Sequence, residues 1–86
     1  GAQPAHDVAA DEPDIVLTAE RAVRGLAGED AEVVVYRQGG RLLVVTSLKA
    51  KPGQSVREAH ILASRVEDAV RDALDSVDDV IVEVSV

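Results

Sequence analysis

Valine, leucine, isoleucine and alanine recur along this chain with two different periods, and the change of period divides it into elements. Between Asp14 and Leu26 the apolar positions Ile15, Ala19, Ala22, Val23 and Leu26 return every three or four residues, the repeat of one helix face. Thr18 is the expected N-cap and Gly28 the stop. Residues 32–37 (EVVVYR) are β-branched and bounded by turn residues. Gln38-Gly39-Gly40-Arg41 then reads as a hairpin loop from which residues 42–50 return as a second strand. Lys51-Pro52-Gly53-Gln54 breaks that strand. Ser55, with Glu58 three residues on, opens a helix through a capping box. Behind it Val56, Ala59, Leu62, Ala63, Val66, Ala69, Val70, Ala73 and Leu74 fall on one face. After a polar loop from Asp75 to Asp79, residues 80–86 alternate, with Val80, Val82, Val84 and Val86 on one side and Ile81, Glu83 and Ser85 on the other. The order is α-β-β-α-β.

An α+β domain follows, with two helices on one face of a three-stranded sheet. Alternation turns Val33, Val35, Leu42, Val44, Thr46, Leu48, Val80, Val82 and Val84 toward the helices. Glu32, Val34, Tyr36, Leu43, Val45, Ser47, Lys49, Ile81, Glu83 and Ser85 take the opposite face. That face is half apolar, so a homodimer contact through the sheet face and strand ends, or a partner surface, is expected there. The alternative is a moderately apolar sheet left in water.

Composition narrows the reading. Eighty-six residues suffice for one small core, and with 47% hydrophobic residues but a single aromatic, Tyr36, that core is aliphatic. Residues 1–13 mix prolines, alanines and acids without either period and are read as a flexible lead-in of tag scar and linker, leaving 14–86 as the domain. His6 belongs to this lead-in and is given no role. The chain has no methionine, so Gly1-Ala2 is read as a scar, with a larger parent protein upstream. Sixteen acids against nine bases give a formal net charge of -7, which argues against nucleic acid or an anionic membrane as partner. Without cysteine there is neither a disulfide framework nor a thiolate metal site.

Enzyme chemistry finds no support. The serines lie in no GxSxG-type turn, Gly39-Gly40 lacks the spacing and lysine of a phosphate loop, and His60 has no positioned acid. Asp68, Asp72, Asp75, Asp78 and Asp79 read as a solvated acidic edge. Arg37, Arg41, Lys49 and Lys51 line the hairpin and its exit as a small basic spot.

Arg37-Gln-Gly-Gly-Arg41 before an apolar strand, Lys51-Pro52, Ser55-Val-Arg-Glu-Ala-His60, Ala63, Val66-Glu67 and the closing Val80-Ile-Val-Glu-Val84 together resemble the cytoplasmic C-terminal domain of the cation diffusion facilitator transporters. The resemblance implies a metallochaperone-like, ferredoxin-like domain at the cytoplasmic face of the cell membrane. It would dimerise as a V beneath the transmembrane domain of the same chain, a divalent-cation exporter, with metal between protomers drawing the arms together. The family's helix histidine falls on His60. Its sheet ligands fall on Glu32, Ser47, Glu83 and Ser85, so only His60 keeps its type, and the two serines are poor ligands. A histidine with two carboxylates suits zinc or manganese. The other reading of His60 is a residue flanking the apolar stripe and hydrogen-bonded locally. A different whole-chain reading is a stand-alone α-β-β-α-β module, similar to the alkaline-shock proteins, that associates with itself or a partner without metal.

Overall fold

Gly39 and Gly40, at φ 57° and 84°, make the two-residue turn on which the sheet is built. Both central residues need positive φ for a turn whose twist matches that of its strands, and glycine adopts it without a Cβ clash. The computed structural model describes residues 4–85 and runs β1 (His6–Asp7), α1 (Pro13–Ala27), β2 (Glu32–Gln38), β3 (Arg41–Lys49), α2 (Val56–Ala73) and β4 (Asp79–Ser85). Gln38 faces Arg41 across the turn, and the ladder continues to Glu32 opposite Ser47. After β3 the chain crosses through α2 and returns as β4 parallel to β3, the connection that a parallel pair requires.

The sheet has four strands in the order β1-β2-β3-β4, one more than the three expected. The extra strand lies within residues 1–13. His6 and Asp7 pair antiparallel with Arg37 and Tyr36, and Val8 behind them is fully buried. Two residues are too few to display a period of two, so the pattern of the sequence could not reveal them. Val86, expected on the helix side of the last strand, lies outside the described residues, as do Gly1 and Ala2.

α1 also starts earlier than Thr18 suggests. Pro13 stands in the first turn, where its missing N–H is no loss, and Glu12 holds the cap position without a side-chain cap bond. Thr18 instead lies inside the helix, its Oγ1 donating to the Asp14 carbonyl at 2.8 Å. Gly28 does end the helix, at φ 89°, its N–H donating to the Arg24 carbonyl at 3.0 Å. At α2 the capping box forms as expected: Ser55 Oγ accepts from the Glu58 N–H at 3.0 Å, and Glu58 Oε1 accepts from the Ser55 N–H at 3.4 Å.

Both helices pack on one side of the sheet. β3 shows the consequence plainly, with Leu42, Val44, Thr46 and Leu48 buried and the residues between them half-buried. Ala19 and Val23 of α1, Val66 and Val70 of α2, and Val35 and Val80 close the same core. Each such valine or leucine side chain contributes about 1.5–3 kcal/mol when fully withdrawn from water. Thr46 is the one buried polar residue among those described, and its Oγ1 donates to the Glu32 carbonyl at 2.8 Å. Val33 and Val82 pack against the core from its margin.

Candidate functional site

The side of the sheet away from the helices is where the expected ligand positions meet. Glu32 is the register partner of Ser47, and Ser47 is the register partner of Glu83, so the three stand in one row across β2, β3 and β4. Beside this row lie Val34, Val45 and Ile81, and beyond those Tyr36, Leu43 and Asp79, with Asp7 of β1 opposite Tyr36. On the other flank Lys49 faces Ser85, whose Oγ donates to the Leu48 carbonyl at 3.5 Å. Val34, Tyr36, Leu43 and Val45 are half-buried and Ile81 is 45% exposed. The face is thus an aliphatic strip with two carboxylates at one margin.

Glu32 and Glu83 are two strand spacings apart, about 10 Å between backbones, with a hydroxyl between them. Two hard oxygen donors and a weak neutral one are fewer donors than a bound cation takes. The ammonium of Lys49, on the neighbouring row, works against it. Among the described residues no group of three or more histidines, cysteines or carboxylates is close enough to hold a metal ion.

His60 sits elsewhere. Exposed in the second turn of α2, it lines a groove of about 310 Å³ with Ala50, Gln54, Ser55, Val56, Ala59 and Val84. Val84 and Glu83 are consecutive in a strand, so their side chains leave opposite faces. Within the chain, then, Glu32, Ser47 and Glu83 come together and His60 lies on the helix side. The groove's rim is apolar: Val56 is 89% exposed and Val84 43%.

The basic spot expected from Arg37, Arg41, Lys49 and Lys51 does not form. Arg41 and Lys49 are opposite ends of β3, about 26 Å apart at the rise of a strand. Arg37 and Arg41 are also paired. Arg41 Nη2 meets Asp79 Oδ2 at 2.7 Å, a bond that raises the guanidinium pKa further. Arg37 holds Glu12 through two parallel bonds of 2.9 Å, which raise its own pKa and lower that of Glu12. Of the five acids read as a solvated edge, Asp78 and Asp79 have structural partners. Asp78 Oδ2 accepts from the Leu42 N–H at 2.7 Å, and its own N–H donates to the Leu42 carbonyl at 2.8 Å. Asp68, Asp72 and Asp75 are exposed.

Sequence reasoning missed the Glu12–Arg37 clamp. One signal was available: an acid directly before a proline at a helix start places Glu12 at the cap of α1, beside the strand that carries Arg37.

No protein-family model matches the chain, and no curated protein does. Solved structures do. The metal-bound C-terminal domain of the CzcD transporter from Thermotoga maritima matches at 18% identity and a TM-score of 0.76, over 88% of this chain and 91% of that one. The C-terminal domain of a MamM variant matches at 15% identity and a TM-score of 0.74, over 85% and 93% of the two chains. Another MamM variant, in a zinc form, gives 13% and 0.71 over 85% and 82%. The fold is that of cation diffusion facilitator C-terminal domains. What the chain shares with these transporter domains is two helices laid over one side of a sheet. No helix among the described residues is long and apolar enough to cross a membrane.

Proposed function

We propose that this chain is the regulatory, dimerising cytoplasmic domain of a divalent-cation exporter, without enzymatic activity, acting beneath a transmembrane part of the same protein. The observation that carries this reading is the row Glu32–Ser47–Glu83 on an aliphatic face that the molecule's own helices leave uncovered. Two copies meeting over that face and at the strand ends would bury Val34, Val45 and Ile81. A contact that continues around the strand ends would bring His60 of one copy, from its helix side, toward the carboxylates of the other, adding the nitrogen donor that one copy lacks. Glu32 and Glu83 would hold the ion through oxygen, His60 through imidazole nitrogen, and Ser47 and Ser85 would contribute little. Zinc and manganese suit that donor set. The fold neighbours include a metal-bound CzcD domain and MamM variants in zinc, nickel, copper and cadmium forms, in line with metal as the signal.

Sedimentation of the domain with and without zinc or manganese, beside calorimetric titration of wild type, His60→Ala and Glu83→Gln, tests both halves. Self-association that tightens with metal, and a heat of binding lost in both variants, is expected. A monomer at every concentration and no heat would remove the proposal.

A second reading is favoured by the serines and by the lack of a three-ligand group among the described residues. In it the same face associates with itself or with a partner, as in a stand-alone α-β-β-α-β module, and metal has no part. Self-association indifferent to metal is its signature.

A further inference from the structure

The segment ahead of α1 is fastened at several points. Val8 is fully buried, its N–H donates to the Val35 carbonyl at 3.1 Å, and its carbonyl accepts from the Asp11 and Glu12 N–H groups at 3.1 and 2.8 Å. Asp7 Oδ1 accepts from the Ala9 N–H at 2.8 Å and closes the bend. Farther on, Arg37 grips Glu12 with Nε and Nη2, both at 2.9 Å, while its Nη1 donates to the Gly40 carbonyl at 3.3 Å. One side chain of β2 therefore ties together the start of α1 and the hairpin turn.

We propose that residues 6–12 are a strap: a unit that opens separately from the rest of the domain, fastens the chain's approach to β2, and passes displacement of the preceding residues to the open face of the sheet. Three features support this. The β1–β2 ladder is only two residues long, so it can part without unfolding the sheet behind it. A buried valine and a forked charge pair nevertheless hold it closed at rest. Asp7 stands opposite Tyr36, which shares its row with Leu43, so the strap ends against the same face that carries Glu32 and Glu83.

With the strap closed, β2 has its outer edge covered at Tyr36 and Arg37. Pulling on residues ahead of His6 would load β2 first. That a membrane part does the pulling rests on the function proposed above. That the strap opens as a unit does not.

The test uses the 86-residue chain without metal, as wild type, Glu12→Gln and Val8→Ala. Residue-resolved amide exchange of the wild type should protect Val8 and Glu12 at least about 100-fold over an unstructured chain yet well below the β3 amides, and each substitution should lower the protection at positions 8 and 12 about tenfold. Tyr36, the only aromatic residue, gives an independent signal: iodide quenching of its emission should rise roughly twofold as the strap opens. Two substitutions of different chemistry guard against a charge effect being mistaken for opening. Val8 exchanging at the unstructured rate in wild type, or Val8 and the β3 amides sharing one level of protection there, would overturn the strap. Tyr36 staying unchanged while Val8 opens would overturn its link to the open face. A missing metal response leaves all of these results intact, and a strap that proves loose leaves the metal titration intact.

Discussion

The two faces of the sheet are drawn from the same strands and from similar residues, yet they differ in what covers them. On the helix side Val35, Leu42, Val44 and Leu48 lose all or nearly all contact with water. Their immediate neighbours Val34, Tyr36, Leu43 and Val45 stay half-buried on the other side. Hydrophobic side chains stabilise a fold only when something withdraws them from water. The sealed face therefore carries most of the stability of the chain, and the open one, half in water, contributes less of it.

Paired truncations break or uphold this contrast most directly. Leu42→Ala on the sealed face is expected to cost about 2–5 kcal/mol in chemical denaturation, the range for emptying a core leucine site. Val45→Ala, two residues along β3 from Ser47 on the open face, should cost the dilute chain less than about 1 kcal/mol and, under the proposed function, weaken self-association instead. Equal losses at the two sites in dilute solution would mean that the open face is already covered. A smaller effect probes where the seal ends along its length. Ser55→Ala removes the side-chain acceptor at the start of α2, beside the exposed Val56 and Val84, and thermal unfolding should register about 1 kcal/mol.

The smallest effect concerns the seal's lateral edge and is read by pH. Arg37's hydrogen bonds lower the Glu12 pKa in the folded chain, with nearby His6 adding a lesser attraction. Because the folded value lies below the unfolded one, the pair's contribution is fully present above the ordinary carboxylate range. It is lost as pH falls through the lowered value. Wild type and Glu12→Gln should therefore differ in denaturant midpoint near neutral pH and converge in acid. A gap that widens in acid would contradict the assignment.

How far the sequence announced these features depended on how many residues each one needed. α2 declares itself through a long apolar stripe and a cap of fixed spacing, and β3 through four alternations, so β3 emerges with its faces correct and α2 with its central stripe, while Val56 and Ala73 at the two ends of that stripe are exposed. The register that sets Glu32 opposite Ser47 follows from the Gly39-Gly40 turn once strand β2 is counted back from it, whereas Glu83 joins the row through the parallel β3–β4 pairing, which no turn fixes. β1 has two residues and no period, and Val8 is a lone valine among acids and alanines, so nothing local marks either. The partners of Arg37 and Arg41 lie 25 and 38 residues away along the chain. Charge composition tells that such residues exist without telling which of them meet. His60 was legible as a helix residue, but its side of the sheet depended on how α2 crosses β4, a property of packing.

The parallel pairing of β3 with β4 has a consequence for the order in which the molecule assembles. Leu42 and Asp78 exchange bonds across 36 residues of chain, whereas the hairpin closes across a two-residue turn. Long closures are slow relative to local ones. During synthesis the β2–β3 ribbon would thus exist before its third neighbour, with a valine-rich flank exposed until the crossover helix delivers the final strand. That interval is when the nascent chain is most open to the wrong neighbour.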